Sequence, residues 1–256
     1  MIDERALVGQ NVTIDPSVSI GPFSIIEDSV SIDEGTWIGP HVVIRRNTRI
    51  GKNNRIYQFS SVGEDPQYAG YEGEETFLSI GDSNLIREFC TLHRGSPAGS
   101  GTTYIGNNNL IMAYAHIAHD STLGNHIVFA NGASLAGHVE IGNHAILGGF
   151  TLVHQFCRIG AHAMTGIGTI CLKDIPPYIL AAGNTAQPHG LNIRGLRRSG
   201  FSQDAISALQ EAYRICYRRN LTLTQAITRL QVLADSSSEV KAFLEFLNQT
   251  KRGIIR

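Results

Sequence analysis

The chain has 256 residues, with 21 Lys and Arg against 22 Asp and Glu, a formal net charge of −1 and 42% hydrophobic content. That balance argues against a general nucleic-acid binder, and no apolar run approaches the roughly 18 residues that span a bilayer. The acidic opening Met-Ile-Asp-Glu-Arg-Ala predicts no secretory signal, and four cysteines without CxxC spacing (Cys90, Cys157, Cys171, Cys216) read as buried small residues of a reducing cytoplasm.

From Ile2 every sixth residue is aliphatic: Val8, Ile14, Ile20, Ile26, Ile32, Ile38, Ile44, Ile50, Ile56 and Val62. The beat returns at Ile80, Ile86 and Leu92, then runs one residue out of step from Ile105 to Ile159. The fourth residue after the beat is usually small or β-branched, as at Val18, Ser24, Val30 and Thr36. Gly, Asp, Asn and Pro fill the positions just after the beat, as in Ile50-Gly-Lys-Asn-Asn, and are expected to supply turns and positive φ. Each hexad thus predicts a short strand and a corner, and three hexads close one coil of a triangular prism. The expected prism is about eight coils tall, at about 4.8 Å per coil. The pattern resembles that of hexapeptide-repeat proteins, which implies a left-handed parallel β-helix over residues 1–175.

Two segments break the beat. Residues 64–79 preserve its register and are expected to replace about one coil; residues 94–104 shift it by one. Loops projecting from a regular scaffold are places where binding residues collect. Beyond Pro176-Pro-Tyr178 the period becomes helical. Three helices are predicted: one capped by Ser202 and running through Cys216, one after Thr222 or Thr224, one after Ser237 or Ser238. Residues 176–256 therefore read as a helical domain closing the open end of the prism. Its excess of Arg (Arg194, Arg197, Arg198, Arg214, Arg218, Arg219) suits a phosphate or an acidic partner.

Ten histidines are present, six of them between residues 116 and 154. Residues one coil apart stack. His126, His144 and His162 form one ladder, read as neutral corner residues because three adjacent imidazoles cannot all be charged cheaply. His119, Gly137 and Gln155 form a second column, and Asp120, His138 and Phe156 a third. With His116 and His154 nearby, one corner gathers an imidazole, a carboxylate and a glycine backbone. Imidazole beside carboxylate suits a general base, and a bare glycine N–H suits a developing oxyanion. No Ser or Cys obviously partners the imidazole, so proton abstraction from a substrate hydroxyl followed by direct acyl transfer is the natural chemistry.

The stretches Ile111-Met-Ala-Tyr-Ala-His-Ile-Ala-His-Asp120, Leu135-Ala-Gly-His138, Val153-His-Gln-Phe-Cys157 and Gly195-Leu-Arg-Arg198, with the terminal Arg252-Gly-Ile-Ile-Arg256, resemble the UDP-N-acetylglucosamine O-acyltransferases that begin lipid A synthesis. The likeness covers essentially the full length. It implies a cytoplasmic homotrimer with active sites between neighbouring prisms and no metal or cofactor. His119 would be the base, oriented by Asp120, with the Gly137 N–H at the oxyanion. Acyl carrier protein would be the donor and would meet basic residues of the helical tail. Gln67, His116, His138, His154, Gln155, Asn192 and Arg198 would contact substrate, and Ile167 would shorten the acyl groove where the long-chain form has glycine. Gly70, Arg194 and Ser199 depart from the family pattern.

Two enzyme classes compete with this reading. An N-acyltransferase of the same pathway shares the repeat but normally carries an additional N-terminal domain. A γ-class carbonic anhydrase would use His116, His119 and His138 as zinc ligands. A non-catalytic β-helix scaffold is the third alternative.

Overall fold

A computed structural model describes residues 1–256. From Ile20 on, the beat residues lie in two- to four-residue strands, most of them at the strand's end, and point inward. Ile38, Ile44, Ile50, Ile56, Ile86, Leu92, Ile105, Ile111 and Ile117 are fully buried. The small residue four places on is buried too, as at Val42, Ala133, Val139 and Ala145. Two inward residues per hexad suffice to fill a narrow triangular section, so large residues are rare inside; Phe129 is the exception.

Every strand pairs in parallel with the strand one coil on, giving three sheets that form the prism faces. The first face runs from Leu7–Val8 to Ile170–Cys171 in nine strands, and the second from Thr13–Ile14 to Arg158–Ile159 in eight. The third runs from Ser19–Ile20 to Ile179–Ala182, and Gln187–Leu191 then adds one antiparallel strand. The pairing Ile117↔Leu135 and Leu135↔Val153 places one-coil neighbours above one another in the region of the histidines.

Three expectations need correction. The segment before Phe77 does not replace a coil. Ser61–Glu64 and Phe77–Ile80 are consecutive strands, so the intervening residues loop out of one corner. The beat survives because the insertion spans whole hexads, and the prism has up to nine turns rather than eight. Nor do the residues directly after the beat supply positive φ. That conformation falls three places on, at Phe23, His41, Asn53, Phe59, Phe89, Asn108, Tyr114, Asp120, His126 and His138 among others. Asn, Asp and His are enriched in this region, whereas Phe and Tyr are not. The aromatic and His rings there stack on their coil neighbours, as Phe59 does on Phe89 at 5.1 Å, and packing offsets the strain. Finally, the strands continue beyond residue 175, and the helices begin only at Ile193.

Four helices follow rather than three. α1 (Ile193–Arg198) is too short to show a period in sequence. α2 (Gln203–Tyr217) has Ser202 as its N-cap; α3 (Leu223–Ala234) has a capping box made by Thr222 and Gln225; α4 (Ser238–Gln249) is capped by Ser237. Their apolar stripes, including Ile206, Leu209, Leu230, Val240 and Phe243, join the prism core in one cluster. The chain end returns to the prism, where Asp174 N–H donates to the Gly253 carbonyl and Ile255 N–H to that of Asp174. All four cysteines are free and buried.

Candidate active site

Both loops and the columns of His119 and His138 occupy one corner, where the first face turns into the second. The strand pairs Ser61–Glu64 with Phe77–Ile80, Thr91–His93 with Thr102–Ile105, and His116–Ile117 with Thr122–Leu123 flank it at successive levels. The stacking arithmetic holds: His138 N–H donates to the His119 carbonyl at 3.0 Å and Phe156 N–H to that of Gly137 at 3.1 Å. The Phe156 ring stacks on His138 at 4.5 Å.

At the centre, His119 Nδ1 lies 2.8 Å from Asp120 Oδ2. Asp120 is all but buried, its side chain 1% exposed, whereas that of His119 is 13% exposed. Burial opposes ionisation of Asp120, but hydrogen bonds from Ser96 and His119 outweigh it and hold the carboxyl below its usual range. A carboxylate at Nδ1 fixes the proton there and leaves Nε2 as a lone-pair acceptor. Nε2 has no partner in the chain.

Gly137 sits over this ring. A Cβ at position 137 would lie 2.6 Å from His119 Cε1 and 2.8 Å from Nε2, so only glycine lets the imidazole take this position. Gly137 is buried and its N–H donates to no backbone acceptor. An unused donor and an unused acceptor therefore lie side by side.

The neighbouring side chains are partly as expected. His138 Nε2 is 3.9 Å from Asp120 Oδ2, and its ring meets His119 edge-on at 5.1 Å. His116 points out of the first face instead, with Nδ1 2.8 Å from Thr91 Oγ1 and its ring against His93. His154 and exposed Gln155 lie on the coils above, with His154 Nδ1 3.1 Å from the Gln155 carbonyl. Gln67 is exposed on the first loop next to Tyr68, whose ring centroid is 6.1 Å from that of His119. The Tyr68 ring also fills the space a side chain at Gly70 would need.

Asn192 and Arg198 are elsewhere. Asn192 is the N-cap of α1 at the corner of the His126–His144–His162 ladder, its Nδ2 donating to the His162 carbonyl and its Oδ1 accepting from Gly195 N–H. Arg198 is exposed in the last turn of α1. Within one chain neither reaches His119. Ile167 is 79% exposed at the remaining corner.

Sequence reasoning missed Ser96 and Ser100, which bind Asp120 from the second loop, Thr103 in the strand that follows it, and the buried His93. Both loops leave the prism between the same two faces, which an interrupted beat by itself does not show. What the beat could not show is which way the loops fold back.

His119, Asp120 and His138 have potential metal donor atoms within 4.8 Å of one another. Asp120 Oδ2, however, already accepts from Ser96 N–H, the Ser96 hydroxyl and His119, and His116, the third imidazole of the zinc reading, is turned away to Thr91. The donor set fits a proton-transfer dyad better than a three-histidine zinc site.

Burial pushes His116 and His162 down to about 4, with neighbouring imidazoles adding to the effect, and also lowers His93, His138 and His144. The ladder rings stack at 4.7 and 4.6 Å, so charging one opposes charging the next. Above the ordinary value of 6.5 both folded and unfolded chains hold His93, His116, His138, His144 and His162 neutral. Below it the unfolded chain takes up protons that the folded chain refuses, so stability is expected to fall between pH 6.5 and about 4. Melting temperatures measured across that window check this, and a flat profile would contradict it.

Residues 174–255 match the family model described as UDP N-acetylglucosamine O-acyltransferase, domain 2, and residues 102–137 match the bacterial transferase hexapeptide model. Acyl-[acyl-carrier-protein]–UDP-N-acetylglucosamine O-acyltransferases of Halorhodospira halophila and Thiobacillus denitrificans are each 52% identical over 255 residues, covering 100% of this chain and 99% of the relative. The solved UDP-N-acetylglucosamine O-acyltransferase (LpxA) from Moraxella catarrhalis superposes with a TM-score of 0.98 at 45% identity, over 100% of this chain and 99% of the other. LpxA from Acinetobacter baumannii gives the same values. Full-length relatives named as O-acyltransferases leave no room for the scaffold and carbonic anhydrase readings. A β-helix with this histidine corner, this helical end and these relatives is an acyltransferase, and the chain belongs to the UDP-N-acetylglucosamine O-acyltransferase family.

Proposed function

We propose that the protein transfers a 3-hydroxyacyl group from acyl carrier protein to the 3-hydroxyl of UDP-N-acetylglucosamine, the first step of lipid A synthesis, in the cytoplasm. The observation that carries the chemistry is the pairing of an unpartnered His119 Nε2 with the unused N–H of Gly137, while Nδ1 is held by Asp120. His119 Nε2 takes the proton of the sugar hydroxyl as its oxygen attacks the thioester carbonyl carbon. The carbonyl oxygen becomes an oxyanion and accepts from Gly137 N–H. Collapse breaks the C–S bond, and the imidazolium returns its proton to the departing thiolate. No acyl-enzyme intermediate is needed. Cys157, the nearest thiol in the fold to suggest itself, is buried and pushed up to about 11 by desolvation, which makes it a poor nucleophile.

His138, His154, Gln155, His116 and Gln67 line the same corner or its approaches and are assigned to substrate contacts. Asn192 and Arg198 occupy a different corner, which favours a site shared between chains of a homotrimer: the α1 corner of one chain faces the His119 corner of the next. Sedimentation as a 27.8 kDa monomer would overturn that assignment. No helix is long and apolar enough to cross a membrane, in keeping with a carrier-bound donor.

The test is transfer from a series of acyl carrier thioesters to UDP-N-acetylglucosamine and to its 3-amino counterpart. Ester formation on the first sugar is the expected result. Amide formation on the amino sugar alone would reassign the acceptor, and no transfer from any thioester would sink the reading. In the same series Ile167→Gly is expected to move the optimum to longer chains, because each methylene that gains cover contributes about 0.8 kcal/mol. An unchanged optimum would remove Ile167 from the acyl groove.

A further inference from the structure

The second loop leaves the first face at Arg94 and rejoins the second face at Thr102, and most of its inward polar atoms converge on one carboxylate. Ser96 is fully buried. Its N–H and its hydroxyl both donate to Asp120 Oδ2, at 3.0 and 2.6 Å, beside the bond from His119 Nδ1. Ser100 Oγ and Gly101 N–H donate to Oδ1, each at 3.1 Å. Asp120 N–H donates to Thr103 Oγ1 at 2.9 Å. Gly99 packs against the carboxylate with no room for a methyl, since a Cβ there would lie 2.4 Å from Asp120 Cγ. The root of the loop is anchored by Arg94, 1% exposed, which donates to the Gly63 carbonyl and to the Asp65 carboxylate of the first loop.

We propose that Ser96 is a positioning residue of the reaction: acting through Asp120, it fixes the tautomer and direction of the His119 imidazole. The assignment rests on His119 being the base. Asp120 sits in the left-handed region, at φ 59°, where no strand pairing fixes its side chain. A carboxylate with one bonded oxygen can rotate and offer either oxygen to the ring. With both oxygens bound by the loop, only Oδ2 faces His119, and the Nδ1 proton has one resting place. The second loop thus acts as a cradle for the dyad, and its buried serine is spent on orientation rather than on nucleophilic attack.

Ser96→Ala in the full-length protein is expected to lower kcat about tenfold, with KM for both substrates within about twofold, because the ring is misdirected while the pocket is intact. In protein labelled with ¹⁵N-histidine, the downfield Nδ1 proton signal, assigned by its absence from His119→Ala, is expected to shift or broaden. Gly99→Ala disturbs the same carboxylate from an exposed loop position and is expected to give both signatures without touching Ser96. A parent-like proton signal in folded Ser96→Ala, or in Gly99→Ala, overturns the proposal whatever the turnover assay shows. A shifted signal with unchanged kcat overturns the role in the reaction while leaving the cradle. The proton signal needs no substrate, so a wrong donor or acceptor would spoil only the kinetic arm.

Discussion

Replacing His119 with alanine is expected to lower kcat for acyl transfer about a thousandfold, with KM for either substrate changed by less than about threefold. His119 is the one imidazole at the corner whose Nδ1 is bonded to a carboxylate while Nε2 is left free. Its neighbours are committed or displaced: His116 is paired with Thr91, His93 with the Asp65 carbonyl, and His138 is 3.9 Å from Asp120. None can take over proton abstraction without moving. If dyad and oxyanion donor act as a unit, Asp120→Ala added to His119→Ala will cost little more, because the carboxylate acts through the ring. Steady-state rates for the two single variants and the double variant check both statements. A His119→Ala enzyme retaining a tenth of parental kcat would move the base elsewhere.

Gly137→Ala is expected to cost about a hundredfold in kcat while leaving the melting temperature near that of the parent. The backbone at 137 is not in the left-handed region, so alanine is not strained there. The cost arises from the new methyl, which would sit 2.6 Å from His119 Cε1 and 2.8 Å from Nε2. Contacts that short force one group aside, and the ring, a side chain, yields before the stacked coils do. A displacement on the order of 1 Å at a reacting atom is worth about this much rate. Structure of the variant would show the ring tilted off Asp120. Parental kcat in a folded Gly137→Ala enzyme would show that the ring position and the Gly137 N–H do not set the rate.

How the site is legible in the sequence depends on the residue. The columns His119–Gly137–Gln155 and Asp120–His138–Phe156 follow from adding three hexads, because each coil pairs with the next in strict register. Periodicity also identified the buried beat, and residue type the Ser202 cap, while the structure chose Thr222 over Thr224 and Ser237 over Ser238. Ser96 and Ser100 could not be placed the same way, since an irregular loop has no period and its side chains are set by what they meet. Asn192 shows a local role that no repeat reveals. Both ends of its side chain are used in capping α1 and binding the His162 carbonyl.

The sequence alone determined the prism, its three faces and the stacking that puts a glycine over His119, because a six-residue period admits one way of burying its apolar residues. It also located the helical closure through caps and apolar spacing. Only the tertiary structure decided that both loops emerge from the catalytic corner, that the second folds back onto Asp120, and that Asn192 and Ile167 lie at other corners. Those outcomes depend on contacts between segments of no fixed period, where burial of a carboxylate and the demand that its oxygens be satisfied select one conformation among many.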